Sequence, residues 1–430
     1  MSEINTDNQH NHQDQPDSQD QPDKDQEEYK ALSSVLTSQL QYESWAKQTI
    51  LTPKQQKWSS LTNKEQALLP WFSGYLQNLE HSIELNGAFF QNVVKTVASS
   101  WGVSTSADGI GGADWAPCSH QDLDKVRSMM IQYVREWSEL GQKERDVSFG
   151  RIVSHCESLF PDVEKRQHLQ VLVPGAGLGR LVIEFVKRGF QTQGNEFSYH
   201  MLLNSSFILN STYCKNEFLL CPFVHKSSNV GKRNDQLRQV YLPDFNPGDV
   251  SFLNMEYPDI PVGELMSMVA GSFVDLYGPP DLGKLCETYT DDPQATQFRV
   301  ENKGKFDVVA TCFFLDTASN IIDYLETIKH CLSDDGYWLN FGPLLWHYED
   351  DDQASHVTYV DSVTGEKKQV VAPMKGLELS RDDLIQLVED CGFKFVERES
   401  GIKTTYGGDP VALGGWSYDC EFWICQKKLD

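Results

Sequence analysis

Positive charge is scarce in this chain of 430 residues. It has 37 lysines and arginines against 62 aspartates and glutamates, which gives a formal net charge of −25. No basic stripe stands out along the chain. An acidic surface repels the phosphate backbone of nucleic acids, so the sequence argues against a nucleic-acid substrate.

Paired cysteines are missing too. The ten cysteines are scattered without a C-x-x-C pair, and several fall inside apolar runs. Buried, reduced thiols in a cytoplasmic or nuclear protein are therefore expected, and no metal site is predicted. His10 and His12 lie in a polar stretch and are interpreted as solvated side chains rather than metal ligands.

Long apolar runs are absent as well. No run approaches the roughly 18 residues that indicate a membrane-spanning helix, and no apolar signal segment is found near the N-terminus. We therefore expect neither a membrane anchor nor secretion. Residues 1–27 have almost no apolar side chains, so they cannot bury enough surface to fold and are predicted to be a disordered acidic tail.

The chain is organised around residues 171–196, which read VLVPGAGLGRLVIEFVKRGFQTQGNE. A short apolar run breaks at Pro174 and a glycine cluster, and apolar residues then recur at helical spacing. This pattern predicts a strand, a tight turn and a helix. A second run ends on Glu196, an acid that can accept the hydroxyls of a ribose. Together these features indicate half of a nucleotide-binding α/β sheet.

The spacing of the glycines indicates which nucleoside this turn binds. Gly175 and Gly177 have no Cβ and can take positive φ, so the backbone can lie close to a ligand. Dinucleotide folds prefer G-x-G-x-x-G, whereas here the third glycine is Gly179 and Arg180 takes the dinucleotide position. The G-x-G-x-G spacing favours S-adenosylmethionine, which has no pyrophosphate. The alternative is a glycine-rich turn without a ligand.

Further strands are predicted at 266–270, 306–314 and 337–341, and the second is an unbroken apolar run typical of a buried parallel strand. The candidate residues that follow these strands are Ser272, Phe273, Asp316 and His347. Ligands of open α/β sheets bind beyond the carboxyl ends of the strands. These side chains are therefore candidates for one common site.

Residues 28–148 are predicted to form a helical region that packs on another part of the chain. Its last long helix, at 123–137, carries a stripe of Met and aromatic residues that we interpret as core. Beyond it, Gln142 and Arg145 are three residues apart and share a face if a helix restarts there. An arginine can bind a carboxylate through two hydrogen bonds, and S-adenosylmethionine has one carboxylate. The alternative is a surface arginine paired with a neighbouring acid.

Residues 149–430 are predicted to form a single α/β domain that ends in a pair of strands. Within it, residues 214–244 are expected to be irregular. Residues 275–305 are polar and are predicted to be an inserted loop. Residues 351–372 are predicted to be a second insertion that resembles an exposed hairpin.

Several blocks of this sequence resemble the carnosine N-methyltransferases, S-adenosylmethionine-dependent enzymes that convert carnosine to anserine. The blocks are WSELGQKERD, LVPGAGLGRLVIEFVKRGFQTQGNEFSYHMLLNSSFILN, FDVVATCFFLDTASNIIDYLETI, NFGPLLWH and TTYGGD. The resemblance extends from about residue 123 to the C-terminus. It implies a seven-stranded Rossmann-like class I methyltransferase sheet, S-adenosylmethionine as the cofactor and a small dipeptide as the substrate.

The resemblance also implies which residues bind each molecule. The cofactor contacts that it implies are Gln142, Arg145, Gly175, Glu196 and Cys312. Gly177 of the glycine turn and Ser272 and Phe273 at the end of the strand 266–270 are further cofactor-binding candidates. The dipeptide contacts are Asp316, His347, Tyr406 and Tyr418. The sequence departs from the family at Ser272, where an aspartate is usual, and at the hairpin-like insertion. With serine at position 272, either the adenine of the cofactor is bound more weakly at this position, or the serine hydroxyl takes the place of the aspartate in binding it.

Asp316, His347 and Tyr418 are the catalytic candidates. Methylation makes an imidazole ring cationic, so a carboxylate on the second ring nitrogen stabilises the transition state more than the ground state, and this role is expected for Asp316. Asp316 could instead cap the helix that follows it, and His347 could be an ordinary half-buried histidine. Methylation of another histidine-containing peptide or protein, and a non-catalytic scaffold with the same fold, are the alternative functions. A homodimer is also expected.

Overall fold

The computed structural model describes residues 20–106, 110–249, 261–280, 282, 293–351, 356–360, 367–371 and 375–428. Eleven strands lie in these ranges. In chain order they are β1 (Gln170–Pro174), β2 (Gln191–Glu196), β3 (Phe218–Leu220), β4 (Val240–Leu242), β5 (Met266–Ala270), β6 (Phe306–Cys312), β7 (Leu332–Gly342), β8 (His356–Val360), β9 (Lys367–Val371), β10 (Phe393–Thr404) and β11 (Tyr418–Lys427).

Seven of these strands form one sheet in the order β10-β11-β7-β6-β1-β2-β5. The five strands from β7 to β5 are parallel, and β11 pairs antiparallel with both β7 and β10. This is the class I methyltransferase sheet that the sequence predicted, including its terminal strand pair. The carboxyl ends of the parallel strands meet at one edge, where ligands of open α/β sheets bind.

The described helices are, in chain order, α1 (Asp20–Ala46), α2 (Thr52–Ser59), α3 (Asn63–Gln66), α4 (Phe72–Val97), α5 (His120–Trp137), α6 (Gln142–Val147), α7 (Phe149–Leu159), α8 (Arg180–Val186), α9 (Tyr199–Asn210), α10 (Arg233–Gln236), α11 (Phe273–Tyr277), α12 (Pro293–Glu301), α13 (Ile321–Cys331) and α14 (Arg381–Asp390). Helices α1 to α7 precede the first strand of the sheet in the sequence, and the later helices alternate with the strands. The π-helical turn Lys47–Leu51 joins α1 to α2.

The N-terminal helices pack against the α/β domain, as predicted. Leu36 of α1, Phe90 of α4 and Phe207 of α9 are buried in one hydrophobic cluster that runs from these helices into the domain. The apolar stripe of α5, including Met130 and Trp137, belongs to the same cluster. This confirms that the Met and aromatic stripe is core. The burial of so much apolar surface holds the helical region on the sheet.

Two stretches predicted to lack secondary structure contain it. Helix α12 lies inside the predicted loop at 275–305, where the buried Arg299 donates a hydrogen bond to the carbonyl oxygen of Asp275. Strands β3 and β4 pair antiparallel inside 214–244. A mostly polar helix and two three-residue strands are too polar or too short to give a strong local periodicity. They form because each is stabilised by a partner elsewhere in the chain, which the local pattern does not reveal.

The helix α1 begins at Asp20, within the stretch predicted to be a disordered tail. Glutamate, glutamine and lysine are good helix formers, and buried Leu32 and Leu36 anchor the same helix further on. Residues 1–19 lie outside the described residues. In the predicted insertion at 351–372, β8 and β9 pair antiparallel, which confirms a hairpin.

Candidate active site

A cavity of about 480 Å³ lies at the carboxyl ends of the parallel strands. The sequence-predicted residues that line it are Gly175, Gly177, Glu196, Ser272, Phe273, Cys312, His347 and Tyr406. They come from the ends of β1, β2, β5, β6 and β7 and from the loop before β11. The structure therefore brings together most of the residues that the sequence placed at one site.

The turn after β1 has the backbone conformation that its glycines predict. Gly175, Gly177 and Gly179 have φ values of +65°, +57° and +81°. These values lie in the left-handed region that side chains other than glycine rarely adopt. A Cβ on Gly175 would lie 2.5 Å from Cδ2 of Phe314. The absence of side chains thus keeps this wall of the cavity open.

Glu196 at the end of β2 is tied to the same turn. One carboxylate oxygen accepts a hydrogen bond from the backbone N–H of Gly177 at 2.9 Å, and the other accepts from the N–H groups of Phe197 and Ser198, each at 2.9 Å. Burial raises the pKa of Glu196, and these backbone donors oppose the rise. The carboxylate is therefore fixed in orientation beside the glycine turn.

Gln142 and Arg145 do not line this cavity. They lie in α6, as the spacing predicted, but line a separate cavity of about 350 Å³. Arg145 donates to the carbonyl oxygens of Arg135 and Ser138 at 2.7 and 2.8 Å and pairs with Asp244 at 2.6 Å. Burial lowers the pKa of Arg145 to about 10. The alternative of a surface arginine is wrong, because the guanidinium is buried and structural.

Sequence reasoning missed Arg135, the arginine that does line the cavity. It projects from the last turns of α5, is 4% exposed, and donates through Nε to Glu144 at 2.8 Å. Its guanidinium carbon lies 4.4 Å from the ring centroid of Tyr406 and 4.8 Å from that of Phe149. Its Nη2 atom has no hydrogen-bond partner among the described residues. A buried, unpartnered guanidinium nitrogen beside a cavity is suited to bind a carboxylate.

Gln132 was missed with it. It lies one helical turn before Arg135 and lines the same cavity. The hydroxyl of Tyr406 donates to its Oε1 at 3.0 Å. Gln132 and Arg135 repeat the Q-x-x-R spacing of Gln142 and Arg145. That repeated spacing makes Gln132 and Arg135 a second candidate pair in the sequence, but it does not show which pair faces the cavity.

Asp316 lies in a short 3₁₀ turn after β6 and is 4% exposed. Phe314 and Thr317, on either side of it in the sequence, line the cavity, whereas Asp316 is not among the lining residues. Its Oδ2 accepts from the backbone N–H of Leu345 at 3.2 Å. Burial raises its pKa to about 7. The alternative role as a helix cap is wrong, because the side chain of Asn320 caps α13 through the N–H of Ile322.

His347 lines the cavity with an exposed side chain. Its backbone N–H donates to the carbonyl oxygen of Asp316 at 2.9 Å. Partial desolvation by the surrounding protein lowers the pKa of its imidazole. The neutral ring is therefore the prevailing form at pH 7.

Tyr418 does not line the cavity. It begins β11, and its ring packs edge-to-face on Phe313 with 6.2 Å between the centroids. Phe313 lines the cavity and has a φ of +52°, a strained conformation for a bulky residue. Tyr418 thus lies behind Phe313, one layer from the cavity.

Ser272, Phe273 and Cys312 also line the cavity. Ser272 caps α11 by accepting from the N–H of Asp275 at 3.4 Å. The ring of Phe273 packs edge-to-face on Phe314 at 5.5 Å. Burial raises the pKa of Cys312 to about 12, so this thiol stays protonated at neutral pH and is not a nucleophile. The serine hydroxyl is used as a helix cap, and Phe273 offers an aromatic surface.

The part of the chain that the structure describes contains no group of three or more His, Cys, Asp or Glu residues arranged to hold a metal ion. Nor does any helix in the described ranges have the length and apolar character to cross a membrane.

Comparison with known proteins identifies the family. The family model of carnosine N-methyltransferase matches residues 113–429. The chain belongs to the carnosine N-methyltransferase family. The matched residues include α5, the glycine turn and every residue that lines the cavity.

Curated members of the carnosine N-methyltransferase family match along most of their length. The carnosine N-methyltransferase of Schizosaccharomyces pombe is 33% identical over 94% of this chain and 97% of its own length. That of Mus musculus is 30% identical over 87% of this chain and 80% of its own. Similarity to solved structures is weaker. The glycopeptide N-methyltransferase MtfA complexed with S-adenosylmethionine is 11% identical, with a TM-score of 0.31 over 64% of this chain and 93% of its own. The strand order of the seven-stranded sheet is that of a class I methyltransferase.

The cavity of this carnosine N-methyltransferase family member fits S-adenosylmethionine, the cofactor of the family. Its volume of about 480 Å³ falls in the usual range for small-molecule sites. Arg135 offers an unpartnered guanidinium nitrogen, and the glycine turn leaves space that a Cβ would fill. Glu196 presents a fixed carboxylate on the same wall.

Proposed function

We propose that this chain methylates the imidazole ring of carnosine to give anserine, with S-adenosylmethionine as the methyl donor. The observation that supports this most strongly is the similarity to enzymes named carnosine N-methyltransferase, which includes the whole cavity. A non-catalytic scaffold needs neither an open cavity nor a buried carboxylate at its edge. A different histidine-containing acceptor remains the alternative that experiment has to separate.

Arg135, Glu196 and the glycine turn hold the cofactor in this proposal. The guanidinium of Arg135 binds its carboxylate, Glu196 accepts the ribose hydroxyls, and Phe273 packs on the adenine. When bound, S-adenosylmethionine supplies a methyl group activated by a positively charged sulfur. We assign the carboxylate contact to Arg135 instead of Arg145, because Arg145 is committed to Asp244 and to two backbone carbonyl groups.

Asp316 is the residue to which we assign the main catalytic role. A neutral imidazole attacks through the nitrogen that has no proton, and the other nitrogen carries the N–H. The ring gains positive charge as the new bond forms, so a carboxylate that accepts this N–H stabilises the transition state more than the ground state. The raised pKa of about 7 also suits Asp316 to take up the proton that the ring must release.

His347, Tyr406 and Tyr418 orient the substrate ring in this proposal. The backbone of His347 is fixed to Asp316 by a hydrogen bond of 2.9 Å, so the two residues approach one substrate together. Tyr406 lines the cavity directly. Tyr418 acts through Phe313, on which its ring packs. Positioning of the reactants is the main contribution that a protein can make to an in-line displacement by a neutral nucleophile.

The proposal also includes the class of substrate and the cellular location. The net charge of −25 supports a small dipeptide rather than a nucleic acid as the substrate. The nine cysteines in the described ranges are free thiols, which suits the reducing environment of the cytoplasm or nucleus. A homodimer and the division at residues 27 and 148 stay predictions.

Comparison of acceptors tests this function. Purified protein with S-adenosylmethionine is assayed against carnosine, homocarnosine, free histidine and a histidine-containing protein. The proposal predicts the highest kcat/KM for carnosine. A higher value for the protein acceptor would support the alternative enzyme, and no transfer to any imidazole would support the scaffold.

A further inference from the structure

The polar groups of the glycine turn are already occupied by carboxylates from the protein. The backbone N–H of Gly177 donates to Glu196 at 2.9 Å, and that of Arg180 donates to Glu136 at 3.2 Å. In nucleotide-binding folds, N–H groups at this position bind phosphate. Here two acidic side chains occupy them, so the turn presents negative charge to the cavity.

Glu136 is the less expected of the two acids, because it comes from α5 and lies outside the strand–turn–helix unit. It is 2% exposed and lines the cavity next to Arg135. Its Oε1 accepts a hydrogen bond from Gln132 and lies 2.7 Å from the position of a Cβ on Gly177. Its Oε2 accepts from the N–H of Arg180. Donors on both oxygens favour the ionised form and oppose the rise in pKa that burial causes.

The charges around the cavity match a cationic ligand. Its lining includes the carboxylates of Glu136, Glu196 and Asp323 against the guanidinium of Arg135. S-adenosylmethionine carries a sulfonium, an ammonium group and one carboxylate, so it is a net cation. A nucleotide with phosphate groups would meet uncompensated negative charge at the glycine turn.

Arg135 and Glu136 are adjacent in the sequence and present opposite charges to the same cavity. Nη1 of Arg135 lies 3.7 Å from Oε1 of Glu136. An α-amino acid has a carboxylate and an ammonium group on one carbon atom. A guanidinium beside a carboxylate therefore matches both groups of the amino-acid end of the cofactor.

We propose that Glu136 is a cofactor-binding residue that accepts the α-ammonium group of S-adenosylmethionine and makes the glycine turn selective for a cation. This assignment concerns the cofactor alone, so it holds whichever acceptor is methylated. It also explains how the turn rejects phosphate without any change in the glycines themselves.

The proposal is tested by a thermodynamic cycle of four binding affinities, measured for two proteins with two ligands, which does not depend on methyl transfer. Calorimetry measures the affinity of wild-type protein and of Glu136→Gln for two probes. The probes are S-adenosylhomocysteine and its analogue with hydrogen in place of the α-amino group. Wild type should prefer S-adenosylhomocysteine by about tenfold to a hundredfold, the range expected for a charge-assisted hydrogen bond. In Glu136→Gln the two affinities should become nearly equal, because the variant has lost the partner of the ammonium group.

Three results would overturn the assignment. These are a wild type with no preference between the probes, a variant whose affinities and preference are both unchanged, and a variant whose affinities for the two probes fall by the same factor, so that its preference persists. The last result would show that Glu136 only shapes the turn. If Glu136→Gln does not fold, Glu136→Asp replaces it in the cycle and should show a reduced preference. Glu139→Gln is the matched control, because Glu139 is exposed and pairs with Lys215.

Discussion

The backbone N–H of His347 donates to the carbonyl oxygen of Asp316 at 2.9 Å. Asp316 follows β6, and His347 follows the neighbouring strand β7. This backbone hydrogen bond joins the loops that follow the two strands. The N–H of Leu345 adds a second hydrogen bond between the same loops, which the side chain of Asp316 accepts. The two loops therefore hold the proposed acceptor site as one unit at the edge of the sheet.

Replacement of Asp316 tests its catalytic role. Asp316→Asn keeps the size of the side chain but cannot accept the ring N–H as a carboxylate does. We expect kcat on carnosine to fall at least about tenfold, the lower range for loss of a positioned acid or base, while the affinity for S-adenosylmethionine persists. Asp382→Asn is the control, because Asp382 is 86% exposed in the first turn of α14. Unchanged turnover in Asp316→Asn would remove the assignment.

The pKa of about 7 for Asp316 predicts a pH effect on stability as well. The folded-state pKa lies above the unfolded value of about 3.9, so the folded protein holds the proton of Asp316 more tightly than the unfolded chain does. The resulting contribution to the free energy of unfolding is complete below pH ~4 and is lost as the pH rises through 7. From pH 5 to pH 8, wild type should lose about 2–3 kcal/mol of unfolding free energy relative to Asp316→Asn. Denaturant unfolding of both proteins measures this difference. A difference independent of pH would show that Asp316 is not perturbed.

The two arginines of the Q-x-x-R pairs should respond differently to substitution. Arg135→Lys keeps a charge but loses the planar fork, so we expect the affinity for S-adenosylmethionine to fall about tenfold. Arg145→Ala leaves the largely buried carboxylate of Asp244 with fewer partners, so we expect a loss of unfolding free energy of about 3 kcal/mol with a smaller effect on cofactor affinity. Calorimetry and denaturant unfolding distinguish the two variants. The reverse pattern would restore Arg145 as the cofactor contact.

The glycine turn gives a further test. Gly175→Ala places a Cβ 2.5 Å from the Phe314 ring at a φ of +65°. We expect it to lower stability by about 1–3 kcal/mol and to weaken cofactor binding. Gly74→Ala is the control, because a Cβ there meets nothing within 4 Å in the exposed part of α4. It should raise stability by up to about 1 kcal/mol without affecting binding. Equal effects of the two substitutions would contradict a special role for the turn.

The sheet could be predicted from the sequence because its signals are local. The strand, glycine turn and helix at 171–196, and the apolar strand at β6, each have a period and a boundary within a few residues. The candidate residues that follow these strands could be placed at one edge of the sheet for the same reason. Parallel strands place their carboxyl ends at one edge, so residues far apart in sequence converge there.

The cofactor-facing side of α5 could not be predicted in the same way. Its apolar stripe was assigned correctly to the core, and Gln132, Arg135 and Glu136 lie on the polar face opposite. A polar helix face usually faces solvent. Here it is buried, because the glycine turn and the loop at Tyr406, which are remote in sequence, close over it. Only the tertiary structure distinguishes these residues from Gln142 and Arg145.

The position of the transferred methyl group is the most direct test of the whole account. Wild-type protein is incubated with S-adenosylmethionine and carnosine, and the product is examined by fragmentation mass spectrometry and NMR. The account predicts that carnosine gains the mass of one methylene unit, located on an imidazole nitrogen, and that Asp316→Ala forms this product far more slowly. A methyl group on the β-alanyl amine, or no transfer to carnosine at all, would contradict it.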